Sequence, residues 1–157
     1  MGGLLAGCGR GDQQAVQLRA LVTRPPRDTA RVTLPATFRR CPDKRSILIE
    51  AITPRGDGVL TLLRYGDTLA SKTYSIINPT DQSALGAAIA IRYMVRDLPH
   101  LLALDSGSVA LTLANNRISA RAEGSGIENA VRTRATIDYT DVTEGAPGDS
   151  ASCAPVP

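Results

Sequence analysis

Val109-Ala110-Leu111-Thr112-Leu113-Ala114-Asn115-Asn116-Arg117-Ile118-Ser119-Ala120-Arg121-Ala122-Glu123 is the stretch that decides the fold. Asn tolerates positive φ better than most residues, so Asn115-Asn116 predicts a two-residue hairpin turn. That turn sets Leu113 opposite Ile118, Leu111 opposite Ala120 and Val109 opposite Ala122, all on one face. The other face then pairs Thr112 with Ser119, Ala110 with Arg121 and Ser108 with Glu123. Register and amphipathicity agree, as a half-buried hairpin requires, because a one-residue slip would turn the apolar set outward.

Working outward, Gly124-Ser125-Gly126 predicts another turn. Val131 to Tyr139 follows with clean alternation: Val131, Thr133, Ala135, Ile137 and Tyr139 against Arg132, Arg134, Thr136 and Asp138. On the N-terminal side, Asp97 to Asp105 is expected to be a connection containing Pro99, with room for a helical turn. Gly86 to Arg96 alternates with period 2, which predicts a strand, although its alanines also suit a helix, and Gln82 to Ala88 keeps a helical alternative. Lys72 to Ile77 and Val59 to Tyr65 are further strands. Pro54-Arg55-Gly56-Asp57-Gly58 is a turn cluster, and Ser46 to Ile52 is apolar without alternation, as a strand covered on both faces would be. Arg31 to Phe38 is a strand that Pro35 breaks or confines to an edge. The total is about seven or eight short strands with turn signals between them, which predicts an all-β domain, an antiparallel β-sandwich or barrel.

The ends differ in composition. Gly9 to Asp28 suits a tether, with a helical turn or two over Gln13 to Leu21 stopped by Thr23-Arg24-Pro25-Pro26. After Val142 the chain is rich in Gly, Pro, Ser and Ala, the composition of a flexible tail. The expected organisation is therefore a segment 1–7, a tether 8–29, a β-domain 30–143 and a tail 144–157.

Leu5-Ala6-Gly7-Cys8 resembles the lipobox of bacterial lipoproteins. The resemblance implies a diacylglycerol on the Cys8 thiol, cleavage before Cys8 so that residues 1–7 are a signal-peptide remnant, and a location in the bacterial envelope. Only Met1 to Leu4 precede the box and none is basic, so a translation start upstream of Met1 is expected. By resemblance to the enterobacterial sorting rule, Gly9 after the cysteine favours the outer membrane. The chain has three cysteines, Cys8, Cys41 and Cys153. Lipidation of Cys8 would account for the odd count and leave Cys41 and Cys153 either as a pair or as two free thiols.

Size and composition set the remaining bounds. At 157 residues the chain can build one core, and with no Trp and one Phe that core is aliphatic. No run of some 18 apolar residues is present, so membrane attachment is expected through lipid alone. The net charge is +3, nearly all of the positive charge being arginine. Arg19, Arg24, Arg27, Arg31, Arg39, Arg40, Lys44 and Arg45 crowd the first third, a basic stretch suited either to anionic headgroups or to a solvated surface.

Chemistry is thinly represented. His100 is the sole histidine, and Cys41 and Cys153 are isolated, so neither zinc nor any other metal or cofactor is expected. Asp105-Ser106-Gly107 resembles the nucleophile loop of trypsin-like proteases, but Ser108 replaces the second glycine and His100 lies too near in sequence to come from a separate part of the fold. A hydrolase would need two of Asp67, Asp81, Asp97 and Asp105 to converge in a pocket. Arg-Gly-Asp occurs at Arg10-Gly11-Asp12 and Arg55-Gly56-Asp57, the second in a turn whose backbone chemistry accounts for it. Leu34-Pro35-Ala36-Thr37-Phe38 lacks the glycine and the C-terminal position of a sortase signal. Tyr93 between Arg92 and Arg96, and Phe38 before Arg39-Arg40, hint at basic–aromatic interleaving, too little to predict nucleic-acid binding. The expected function is a non-enzymatic, lipid-anchored envelope protein that binds or supports. The alternatives are a soluble β-domain without lipidation and a small carboxylate hydrolase.

Overall fold

A computed structural model describes residues 15–78, 80–81, 83–146 and 153. The residues expected to carry lipid, Cys8 included, lie outside the described ones. The chain is all-β. Its strands are β1 (Leu18–Arg24), β2 (Asp28–Leu34), β3 (Thr37–Arg40), β4 (Ser46–Ile52), β5 (Gly58–Arg64), β6 (Lys72–Ser75), β7 (Gly86–Val95), β8 (Leu98–Ala103), β9 (Ser106–Ala114), β10 (Arg117–Glu128) and β11 (Val131–Glu144).

All are hydrogen-bonded into one sheet that is antiparallel except at one short seam and at an isolated parallel bridge between Ile76 and Ala87. One half runs β2-β1-β11-β10-β9-β6, and the other runs β3-β4-β5-β7-β8. The seam is a short parallel pairing of Thr143 and Glu144 with Thr37 and Phe38. The halves face each other across one core, in which Leu18, Ile118 and Ile137 from the first meet Phe38, Ile47, Ile89 and Leu102 from the second. The result is sandwich-like, built on aliphatic side chains because aromatic ones are scarce.

The β9–β10 hairpin has the register expected from its sequence, with Leu113, Leu111 and Val109 opposite Ile118, Ala120 and Ala122. Asn115 and Asn116 take φ values of 51° and 57°. Residues 86–95 form a strand, and no helix occurs among the described residues.

Several boundaries differ from expectation. Leu18–Arg24, placed in the tether and given helical character, is strand β1, paired with both β2 and β11. Leu18, Ala20 and Val22 alternate inward, and Pro25-Pro26 forms the hairpin turn instead of stopping a helix. Residues 98–103 are an edge strand, where Pro99 sits opposite Met94 and needs no ladder donor on its open side. Gly124-Ser125-Gly126 is not a turn: β10 runs through it to Glu128, and the turn falls at Asn129-Ala130. These glycines permit a close crossing, since a Cβ at Gly126 would lie 2.0 Å from the Ala103 carbonyl oxygen. Strand β11 also continues past Tyr139 to Glu144, with a register shift opposite Ile118–Ala120 that restores Val142 to the core.

Candidate functional site

Two arrangements of polar side chains stand out, one buried and one exposed. The buried one gathers at the end of the sandwich where the β1–β2, β7–β8 and β10–β11 hairpins turn. Glu128, the last residue of β10, is 7% exposed. Its Oε2 accepts the Tyr93 hydroxyl at 2.5 Å, and its Oε1 lies 2.6 Å from His100 Nδ1. Tyr93 and His100 are cross-strand partners on β7 and β8, and their rings stack with centroids 5.1 Å apart. Arg24, at the end of β1, brings Nε to 3.9 Å from Glu128 Oε2. Asp28, opening β2, lies 3.9 Å from both Arg24 and Arg96. A buried carboxylate is costly unless its oxygens are satisfied, and here both are. Burial, the hydrogen bond to Glu128 and the charge of that carboxylate all push the Tyr93 phenol above its ordinary range. Arg24 Nε is buried within the cluster without a hydrogen-bond partner and meets Glu128 through charge alone, and the cluster as a whole joins three hairpin ends.

The exposed arrangement is on the outer face of the first half. Strand alternation sends Arg19 and Leu21 of β1, Arg31 and Thr33 of β2, Thr136 and Asp138 of β11 and Arg121 of β10 to the same side. The pairings align them in rows across four strands. One row is Thr33, Arg19, Asp138, Arg121, and the next is Arg31, Leu21, Thr136, Glu123. These side chains, Glu123 excepted, line an open groove of about 410 Å³. Arg121 holds both Glu123 and Asp138 at 2.8 Å. Among the described residues Arg19, Arg31 and Arg134 have no carboxylate partner, whereas Arg132, further along β11, is held by Asp105 at 2.8 Å.

The basic first third of the sequence is therefore divided by the fold. Arg19 and Arg31 reach this face, while Arg39 pairs with Glu50, Arg40 with Glu144 and Arg24 with Glu128. The face is completed by Arg121 and Arg134, from a part of the chain where sequence alone shows only alternation. The signal that would have found it is period 2 applied to the polar positions of residues 18–24.

The other candidate residues are dispersed. The sulfurs of Cys41 and Cys153 lie 2.18 Å apart, joined as a disulfide. It packs with Leu48 and Leu62 on the outer face of β4 and β5, which explains why Ser46 to Ile52 does not alternate. Ser106 Oγ lies 3.2 Å from Ser125 Oγ, and His100 is engaged by Glu128, so the Asp105-Ser106-Gly107 segment is not joined to a base by a hydrogen bond. Arg55-Gly56-Asp57 occupies the β4–β5 turn, with Gly56 at φ 89°. Asp67, Asp81, Asp97 and Asp105 occupy separate turns, and none lines the groove. Asp81 accepts backbone N–H bonds from Ser83 and Ala84 within its own loop. Among the described residues no three His, Cys, Asp or Glu side chains are grouped to hold a metal ion. No family model, curated protein or solved structure matches this chain.

Proposed function

We propose that the chain is a non-enzymatic binding domain of a bacterial envelope, exported and held to the membrane through an acylated Cys8. The observation that carries this reading is the pairing of Cys41 with Cys153. It accounts for two of the three cysteines and leaves Cys8, at the end of Leu5-Ala6-Gly7-Cys8, as the one without a partner in the chain. Disulfides of this kind persist in oxidising compartments such as the periplasm, where a lipoprotein domain resides. Strand β1 begins at Leu18, so a short linker joins the modified cysteine to the domain. Gly9 after the cysteine supports the outer membrane as its destination.

The test is metabolic labelling with an alkyne fatty acid of the protein expressed from its native locus. Wild type is expected to carry the label and fractionate with membranes, and Cys8→Ala is expected to carry none. An unlabelled wild type with its disulfide intact would replace this reading with a soluble β-domain.

A further inference from the structure

The arginine face and the point where the chain enters the domain lie together. Gln17, one residue before β1, is fixed on both sides of its backbone: its N–H donates to the Leu34 carbonyl at 3.1 Å, and its carbonyl accepts from Thr140 N–H at 2.8 Å. Its side-chain amide also donates to the Asp141 carbonyl at 3.2 Å. The tether therefore leaves from a defined place, and Arg19 is the first outward residue beyond it. The eleven residue steps from Cys8 to Arg19 span at most about 40 Å when fully extended. A domain acylated at Cys8 is held close enough to a bilayer for this face to touch it.

Charge and shape point the same way. Arg121 holds both carboxylates of the rows but cancels the charge of only one, so Arg19, Arg31 and Arg134, which have no carboxylate partner among the described residues, leave the face net positive, four arginines against two carboxylates. They are interspersed with Thr23, Thr33 and Thr136, hydroxyl donors suited to phosphate oxygens, around the exposed side chain of Leu21. Guanidinium groups bind phosphate through forked N–H pairs. The groove is open and spans four strands, a broad surface instead of a closed pocket. We infer that this face docks on an anionic phospholipid surface, with Arg19, Arg31 and Arg134 against headgroup phosphates. The inference rests on the proposed anchor at Cys8 for its geometry, but the face itself is testable without the lipid.

The experiment uses the full chain carrying Cys8→Ala, so that acylation plays no part. It is sedimented with phosphatidylcholine vesicles with and without phosphatidylglycerol. Binding is expected only with the anionic lipid and is expected to weaken as salt screens the charges. Replacing Arg19, Arg31 and Arg134 together by Gln should lower partitioning by roughly a hundredfold, about fivefold for each charge removed from the surface. Replacing Lys44, Arg45 and Arg55 by Gln removes the same charge from the β3–β4 and β4–β5 turns and should change partitioning less than about twofold. Should the first triple variant lose its native circular dichroism, the single variants Arg19→Gln and Arg134→Gln carry the test at about fivefold each. No binding, equal binding to neutral vesicles or equal loss in both triple variants overturns the inference. So does retention on a soluble sulfated polysaccharide without vesicle binding, which would make a polyanion in solution the occupant. Failure of fatty-acid labelling with vesicle binding intact removes the anchor and leaves the face.

Discussion

Tyr139 and Thr61 face each other across the core, one from β11 and one from β5, with the phenol oxygen 2.6 Å from Thr61 Oγ1. Both residues are buried, and burial pushes the Tyr139 phenol above its usual range despite the opposing effect of the Thr61 hydrogen bond. It is a polar tie between halves otherwise held by aliphatic contact. Tyr139→Phe leaves the Thr61 hydroxyl buried without a partner, a loss of about 1–3 kcal/mol. Thr61→Val should cost a similar amount, and the double variant less than the sum of the two. Urea denaturation of the four proteins measures this, and strictly additive losses would show that the two hydroxyls do not act as a pair. Sequence could not disclose this tie. Tyr139 is legible as an inward position of an alternating strand, but Thr61 sits amid Leu60, Leu62 and Leu63 with nothing to mark it. Glu128 is a similar case, since an acid beside Asn129-Ala130 looks like a turn residue until Tyr93 and His100 are placed on it.

Among the elements, the register of the β9–β10 hairpin was legible from Ser108 to Glu123 because its pattern and its turn are local. The end of β10 was not. Glycine marks either a turn or a close approach, and only the position of β8 distinguishes them. At Gly126 an added Cβ would meet the Ala103 carbonyl oxygen and carbon at 2.0 and 2.9 Å, and Leu102 Cδ1 at 3.1 Å. Backbone cannot yield as a flexible side chain would. Gly126→Ala is therefore expected to destabilise the domain by about 2–3 kcal/mol, at the upper end for overpacking. Gly145→Ala, where the nearest atom lies at 3.6 Å, should be within about 0.5 kcal/mol of wild type. Denaturant midpoints of the two variants decide the matter, and equal midpoints would mean that β8 does not cross there.

At the scale of the whole molecule, the Cys41–Cys153 bridge closes a segment of 112 residues. The chain-entropy account assigns a loop of this length up to about 4–5 kcal/mol. The bridge also covers Leu48 and Leu62, which would otherwise be an exposed apolar patch on β4 and β5. Reduction, or Cys41→Ser with Cys153→Ser, should lower the thermal midpoint by about 10–20 °C. It should also increase binding of a hydrophobic dye to the native state. An unchanged midpoint under reducing conditions would show that the bridge contributes nothing to stability. The arginine face belongs to this scale as well, since its members come from residues 19–31 and 121–134, brought together by the pairing of β1 with β11.

By itself the sequence determined the class of fold, most strand positions and the register of the central hairpin. Period-2 burial and turn chemistry are local properties, written within a dozen residues of one another. The tertiary structure decided how the strands were joined: that Leu18–Arg24 lies between β2 and β11, that β8 crosses Gly126, and that Cys41 meets Cys153. It also decided which arginines stand together. Each of those outcomes depends on contacts between segments far apart in the chain, and alternation within one segment carries no information about its neighbour.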